Sequence, residues 1–199
     1  MSDNPFQQWH VDKEGTTVVD IDTTPTGGLV HVNYASGKSA FAIGASPHGA
    51  LMVVDNPDGK TGVTIGSHSI GGFMHTYHAS SKSSVQIGTS SDTIVMHVHH
   101  ANGKLVVGIS SNSNGGQILM DNADGKRAIS IAANSEEGGM IGVHGKDADP
   151  KIQLDVNEYG GDMSIFGNTD DASRVRLGID ERGGGTINAW DKNRYRLFP

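Results

Sequence analysis

The sequence contains no cysteine, which excludes a disulfide framework and any thiolate-based site. Proline is scarce, at 6 of 199 residues, so this is not a proline-rich disordered chain. Aromatic residues amount to only 6%, and apolar packing must come from Val, Ile, Leu and Met. Positive charge is in deficit. The net charge is −7 at pH 7, which argues against a nucleic-acid partner, because gripping a phosphate backbone takes clustered Lys and Arg. No apolar run approaches the roughly 18 residues that would cross a bilayer as a helix, so no membrane span is expected. The opening MSDNPFQQWHVDKEG has no basic region followed by an apolar core and does not read as a Sec signal peptide. No window sustains apolar residues at i, i+3, i+4 and i+7, so no helix is expected.

What the chain does have is glycine, 28 residues of it, at regular places. The stretch Leu51 to Ile65, LMVVDNPDGKTGVTI, sets the pattern. Two β-type runs flank Asn56-Pro57-Asp58-Gly59. Asn opens such a turn, Pro presets φ at its first central position, and Gly takes the left-handed site that closes a type I turn with a G1 bulge. An apolar-x-apolar pair recurs at Val19/Ile21, Phe41/Ile43, Val63/Ile65, Val85/Ile87, Val107/Ile109, Ile129/Ile131, Ile152/Leu154 and Val175/Leu177, spaced by 22 residues five times and then by 23 twice. A last copy, Tyr195/Leu197, comes early. Gly-Lys closes a turn at Gly37-Lys38, Gly59-Lys60, Gly103-Lys104 and Gly125-Lys126, with Ser81-Lys82 as a degenerate copy, and glycines such as Gly27-Gly28, Gly49 and Gly71-Gly72 open the units. A fixed period of this length is the signature of a repeat architecture.

The expected fold is therefore all-β, a repetitive array of two-strand units of about 22 residues. Residues 1–26 read as an N-terminal lead-in or degenerate first unit, 27–137 as regular repeats, and 138–199 as diverged C-terminal repeats and a cap. Counting back from an Asn56–Lys60 pair puts Val53 opposite Val63 and Leu51 opposite Ile65. One face would then carry Leu51, Val53, Val63 and Ile65, together with equivalents such as Leu29, His31, Phe41, Ile43, Phe73, His75, Val85, Ile87, Val95, His97, Val107 and Ile109. Met52, Val54, Gly62 and Thr64 would lie on the other.

About seventeen strands at roughly 4.8 Å spacing make a ribbon on the order of 80 Å long. An isolated ribbon of that kind leaves apolar area wet at roughly 25 cal/mol per Å², so it must bury a face against itself or other chains. The expectation is an antiparallel hairpin meander assembled as a homotrimeric β-prism or β-fibre. In architecture such an assembly resembles the β-rich shafts of phage tail fibres and needles. The competing architecture is a parallel β-solenoid with one 22-residue coil per rung, in which residues 22 apart stack directly.

Few residues suggest chemistry. Among ten histidines, His31, His75 and His97 share one repeat position, and near a threefold axis their imidazoles could hold a metal. They are the candidates for a metal bound by imidazole; structurally, they read as strand-filling histidines. His78 and His100 share a second position, near the turn. Asn56-Pro57-Asp58-Gly59, Asn122-Ala123-Asp124-Gly125 and Asp147-Ala148-Asp149 invite a calcium reading, but they lack the spacing and distal Glu of an EF-hand, and turn formation already accounts for them. Gly183-Gly184-Gly185 has neither the Lys-Ser/Thr nor the helix of a phosphate loop. Glu136-Glu137, Asp170-Asp171 and Asp180-Glu181 are carboxylate pairs of the kind glycosidases use, placed here in solvated loops. Trp9, Trp190, Tyr195 and Phe198 gather at the two ends, as caps or as a contact patch. No catalytic residue and no cofactor is assigned. The expected function is structural: a self-assembling rod or fibre segment, trimeric or filamentous, with surface loops for adhesion. The alternative is a carbohydrate- or surface-binding module, and after that a polysaccharide-degrading enzyme of fibre type.

Overall fold

The Asn-Pro-Asp-Gly-Lys segment closes as its residue types require. In the computed structural model the Asn56 N–H donates to the Lys60 carbonyl and the Gly59 N–H to the Asn56 carbonyl, both at 2.8 Å, and Gly59 takes φ 77°. Asn56 Oδ1 accepts the N–H groups of Asp58 and Lys60, each at 3.0 Å. Asn122 repeats this with Asp124 and Lys126, Asp180 with Arg182 and Gly184, and Asp191 with Asn193 and Tyr195. A side-chain acceptor two and four residues ahead of its donors organises the turn before any strand pairing is needed. Residues 9–24, 27–78, 83–89, 93–134, 138–167, 173–191, 193 and 195–197 are described by the structure; Ser81-Lys82, Glu136-Glu137, Asp170-Asp171 and Phe198 lie outside them.

The chain falls into two units, Met1–Gly103 and Lys104–Pro199. The first contains β1 (Trp9–Lys13), β2 (Thr16–Thr24), β3 (Gly27–Asn33), β4 (Ser39–Ser46), β5 (Gly49–Asp55), β6 (Thr61–His68), β7 (Gly71–Tyr77), β8 (Ser83–Thr89) and β9 (Ile94–His99). The second contains β10 (Leu105–Asn112), β11 (Gly115–Asp121), β12 (Arg127–Asn134), β13 (Gly138–His144), β14 (Pro150–Asn157), β15 (Gly160–Phe166), β16 (Ser173–Ile179) and β17 (Gly185–Ala189). Within each unit every strand pairs antiparallel with the next in sequence. Each unit is thus a meander of hairpins, and the parallel solenoid is set aside. No helix occurs among the described residues. The stretch read as a lead-in contains β1 and β2.

The register departs from the count made from the turn. Asp55 faces Thr61, but Val54 faces Val63, so Gly62 is an extra residue and a second bulge follows the G1 bulge. Met52 therefore lies opposite Ile65, and Leu51 opposite Gly66. The same shift follows Asn33, Tyr77, Asp121, His144 and Phe166. A one-residue slip exchanges the faces of a strand, and the expected face of Leu51, Val53, Val63 and Ile65 is corrected accordingly. His31, His75 and His97 lie on the face opposite Phe41, Ile43, Val85 and Ile87.

The corrected faces are unlike each other. In the first unit the two central positions of each strand on one face carry Val19, Ile21, Val30, Val32, Phe41, Ile43, Met52, Val54, Val63, Ile65, Met74, Val85, Ile87, Met96 and Val98, with Thr76 the polar exception among them. In the second they carry Val107, Ile109, Ile118, Met120, Ile129, Ile131, Ile141, Val143, Ile152, Leu154, Met163, Ile165, Val175, Leu177, Ile187 and Ala189. We call this the aliphatic face. The opposite, polar face carries Asp20, His31, Ala42, Val53, Thr64, His75, Gln86 and His97 in one row across the first unit.

Successive hairpins are also stitched along the edge that bears the tight turns. Lys38 Nζ donates to the Asp58 carbonyl at 3.2 Å, Lys104 Nζ to the Asp124 carbonyl at 2.6 Å, and Arg174 Nη1 to the Asp191 carbonyl at 2.8 Å. Lys126 pairs with Asp147 at 3.1 Å, which holds that carboxyl below its ordinary pKa by hydrogen bond and charge. The lysine that closes one turn thus ties down the next, one repeat later.

Candidate functional site

Within its own unit the aliphatic face has no cover. Among the described residues of each unit a strand touches only the strands before and after it, and no second layer packs on the sheet. Ala189 is the one buried hydrophobic residue among those described, and no side chain is fully buried. Ile65 is 39% and Ile131 37% exposed, in the middle of their strands.

The shape of the apolar area narrows what can cover it. On most strands it is two alternate side chains tall, such as Val63 and Ile65, or about 7 Å of strand length. Bilayer-facing bands of β-barrels are about 25 Å tall. A low stripe running across many strands suits another stripe of the same kind.

The polar face owes its relief to glycine. Across the first unit a second row reads Leu29, Gly44, Leu51, Gly66, Phe73, Gly88 and Val95. Large side chains lie over their glycine neighbours: a Cβ on Gly66 would stand 2.6 Å from Phe73 Cζ and 3.0 Å from Leu51 Cδ1. At Gly88 the shorter Val95 leaves space, giving a hollow of about 320 Å³ beside His68, Phe73, His75 and Gln86. The rings of His68, Phe73, His75 and Tyr77 follow one another at 5.8, 5.0 and 6.1 Å. Tyr77 Oη meets His75 Nδ1 at 3.3 Å, while His75 Nε2 is buried without a partner.

In the second unit the equivalent glycine is Gly178, and its neighbours across the ladder are polar. Thr186 faces it, and a Cβ there would stand 2.8 Å from Asp162 Oδ2. Next to it is a larger groove, about 640 Å³, lined by Tyr159, Asp162, Arg176, Ile179, Thr186, Asn188 and Trp190, with Asp180, Glu181 and Arg182 on its rim. Asp162 is fixed by Arg176 Nε at 2.5 Å and by the Ser164 hydroxyl at 3.2 Å. The Tyr159 hydroxyl bonds to the Glu158 carboxylate, which raises its pKa above the ordinary tyrosine value.

The residues singled out by sequence are dispersed. His75 and His97 flank Gln86 on alternate strands, about 10 Å apart, and His31 sits four strands from His75. A zinc ion needs ligands near 2 Å, so one chain does not gather the three. Among the described residues no group of three His, Cys, Asp or Glu side chains could hold a metal ion. His97 and His99 do meet, with rings 6.0 Å apart and perpendicular. Burial, and then the neighbouring His97, lower the pKa of His99, and its Nδ1 is buried without a partner. His100 caps its own turn, accepting the Asn102 N–H at 3.3 Å. The Asn56 and Asn122 oxygens that a calcium reading would use are bonded to their own backbones. The groove at Gly178 was missed from sequence, although Asp180-Glu181 and Trp190 on its margin were singled out.

A scan against protein-family models gives no match, and no curated protein matches the chain.

Proposed function

We propose that this chain is a structural, self-assembling β-repeat protein, with its aliphatic face covered by the same face of further copies, forming a rod or fibre segment. The observation that carries this reading is the continuous, uncovered aliphatic stripe of each unit. A second copy suits as the cover because the stripe is self-complementary in height and chemistry. Three copies enclosing a triangular core are our preferred arrangement, because a closed ring of stripes leaves none of them wet. The mechanism is mechanical: hydrogen-bonded ladders and a shared apolar seam stiffen the array and present the polar face and turns outward.

Sedimentation equilibrium of the full chain tests this. We expect a species of three times 20.9 kDa that persists at about micromolar concentration. A dimer would keep self-covering and replace the threefold arrangement. A folded monomer that binds no apolar dye would overturn the reading.

A further inference from the structure

The geometry points to a binding site for a neutral oligosaccharide in the groove over Gly178, on the polar face of the second unit. Gly178 lies between Asp162 and Thr186, and its lack of a Cβ makes room for the Asp162 carboxylate, which with Arg176, Thr186 and Asn188 lines a groove of about 640 Å³. The groove ends in two aromatic side chains, Tyr159 and Trp190, and Tyr159 is 46% exposed. Aromatic rings offer an apolar face to which the C–H face of a pyranose can be applied.

Between these rings stand planar hydrogen-bonding groups. Arg176 lies directly opposite Asn188 in the ladder between β16 and β17, with side chains about 5 Å apart at their bases. The bond from Arg176 Nε to Asp162 fixes the guanidinium plane and leaves the two terminal nitrogens to donate outward. Asn188 adds a carbonyl acceptor and an amide donor. Two fixed planar groups side by side suit the adjacent hydroxyls of a sugar ring, each of which donates and accepts.

Charge selects a neutral ligand. Asp162 already matches the Arg176 charge, and the rim residues Asp180, Glu181 and Arg182 add one net negative charge, which disfavours a uronate or a phosphate. This site goes beyond self-assembly and does not depend on how many copies associate.

The test uses the full chain carrying Trp9→Phe, in which Trp190 is the single remaining tryptophan. Neutral hexaoses of glucose, mannose, galactose and N-acetylglucosamine, and one uronate hexaose, are titrated to about 10 mM while tryptophan emission is followed. The expected result is a saturable change with at least one neutral series, weakened about tenfold or more by Asn188→Ala and by Tyr159→Ala. Tyr159 sits in a turn outside the strand ladder, so its variant keeps the test decisive if Asn188→Ala fails to fold. The proposal is overturned if no neutral hexaose alters the emission, if both variants bind as the parent does, or if the uronate binds best.

Discussion

The two faces of each sheet are made by the same strands, yet they follow different rules. The aliphatic face repeats with one exception: from Val30 and Val32 to Val175 and Leu177, every strand supplies two apolar side chains except β7, where Thr76 accompanies Met74. The polar face changes from strand to strand, with Phe73, Gly88, Gln86, Asp162 and Arg176 at related positions. A face that meets an identical partner must be uniform along its length, because any odd residue is buried with its copies. A face turned to solvent or to a small ligand can vary, and its variation is what makes local sites.

The strongest way to break this contrast is to exchange the faces themselves. Inserting one alanine between Gly62 and Val63 adds a second extra residue between β5 and β6. Val63 and Ile65 could then keep their place opposite Val54 and Met52 only by enlarging the bulge or breaking the turn, or keep bulge and turn by crossing to the polar face. Loss of cooperative thermal unfolding is expected, read by circular dichroism; an insertion variant that melts as the parent does would show the register to be incidental.

Next in size is a charge placed on one face or the other. Ile65→Asp puts a carboxylate into the proposed seam, where an unpaired buried charge costs about 3–5 kcal/mol. Thr64→Asp, one residue earlier and on the polar face, should change stability by no more than about 0.5 kcal/mol. Sedimentation should show the first variant dissociated or aggregated and the second assembled. Equal behaviour of the two would remove the distinction between the faces.

Much of this was legible in the sequence. The 22-residue period, the Asn56-to-Lys60 turn and the lack of helical periodicity all specify hairpins, because turn chemistry and strand alternation are local. The faces were not legible from that turn. The extra residue in the bulged hairpins is Val18, Ala40, Gly62, Ser84, Ala128, Lys151 or Arg174, and these share no chemistry that announces a bulge. Counting from the other end would have succeeded: Ser46 pairs with Gly49 across a two-residue turn, which sets Ile43 opposite Met52. The groove over Gly178 was hidden for a different reason. It exists through Thr186, Asp162 and Asn188, which only the lateral order of strands brings together.

Glycines sharpen the contrast further, because one class serves neither face. Gly49 takes φ 138°, and a Cβ there would run into the Ser67 carbonyl within the sheet. Gly161 has nothing within 4 Å of its Cβ position. Gly49→Ala should cost about 2–3 kcal/mol through backbone strain, whereas Gly161→Ala should be neutral or stabilise by up to about 1 kcal/mol. Denaturant midpoints of the two variants read the difference directly, and a Gly49→Ala protein as stable as the parent would mean that the strand ends tolerate a wider approach.

The smallest effect expected lies within the polar face and concerns protons. Desolvation, followed by the charge of His97, lowers the pKa of His99 from 6.5. The folded state therefore takes up a proton on this ring less readily than the unfolded chain does. The sign follows: the unfolded state binds more protons in that window, so stability rises with pH there. The contribution of His99 is complete above about pH 6.5 and is lost as pH falls through the lowered value. His99→Gln, which cannot titrate, should flatten the fall in melting temperature between about pH 7 and pH 5. Ile65 and its aliphatic neighbours have no group that titrates in this range, so the seam should persist over the same interval. If acid dissociates the assembly while His99→Gln leaves that dissociation unchanged, the pH response belongs elsewhere and His99 is an inert, poorly solvated ring.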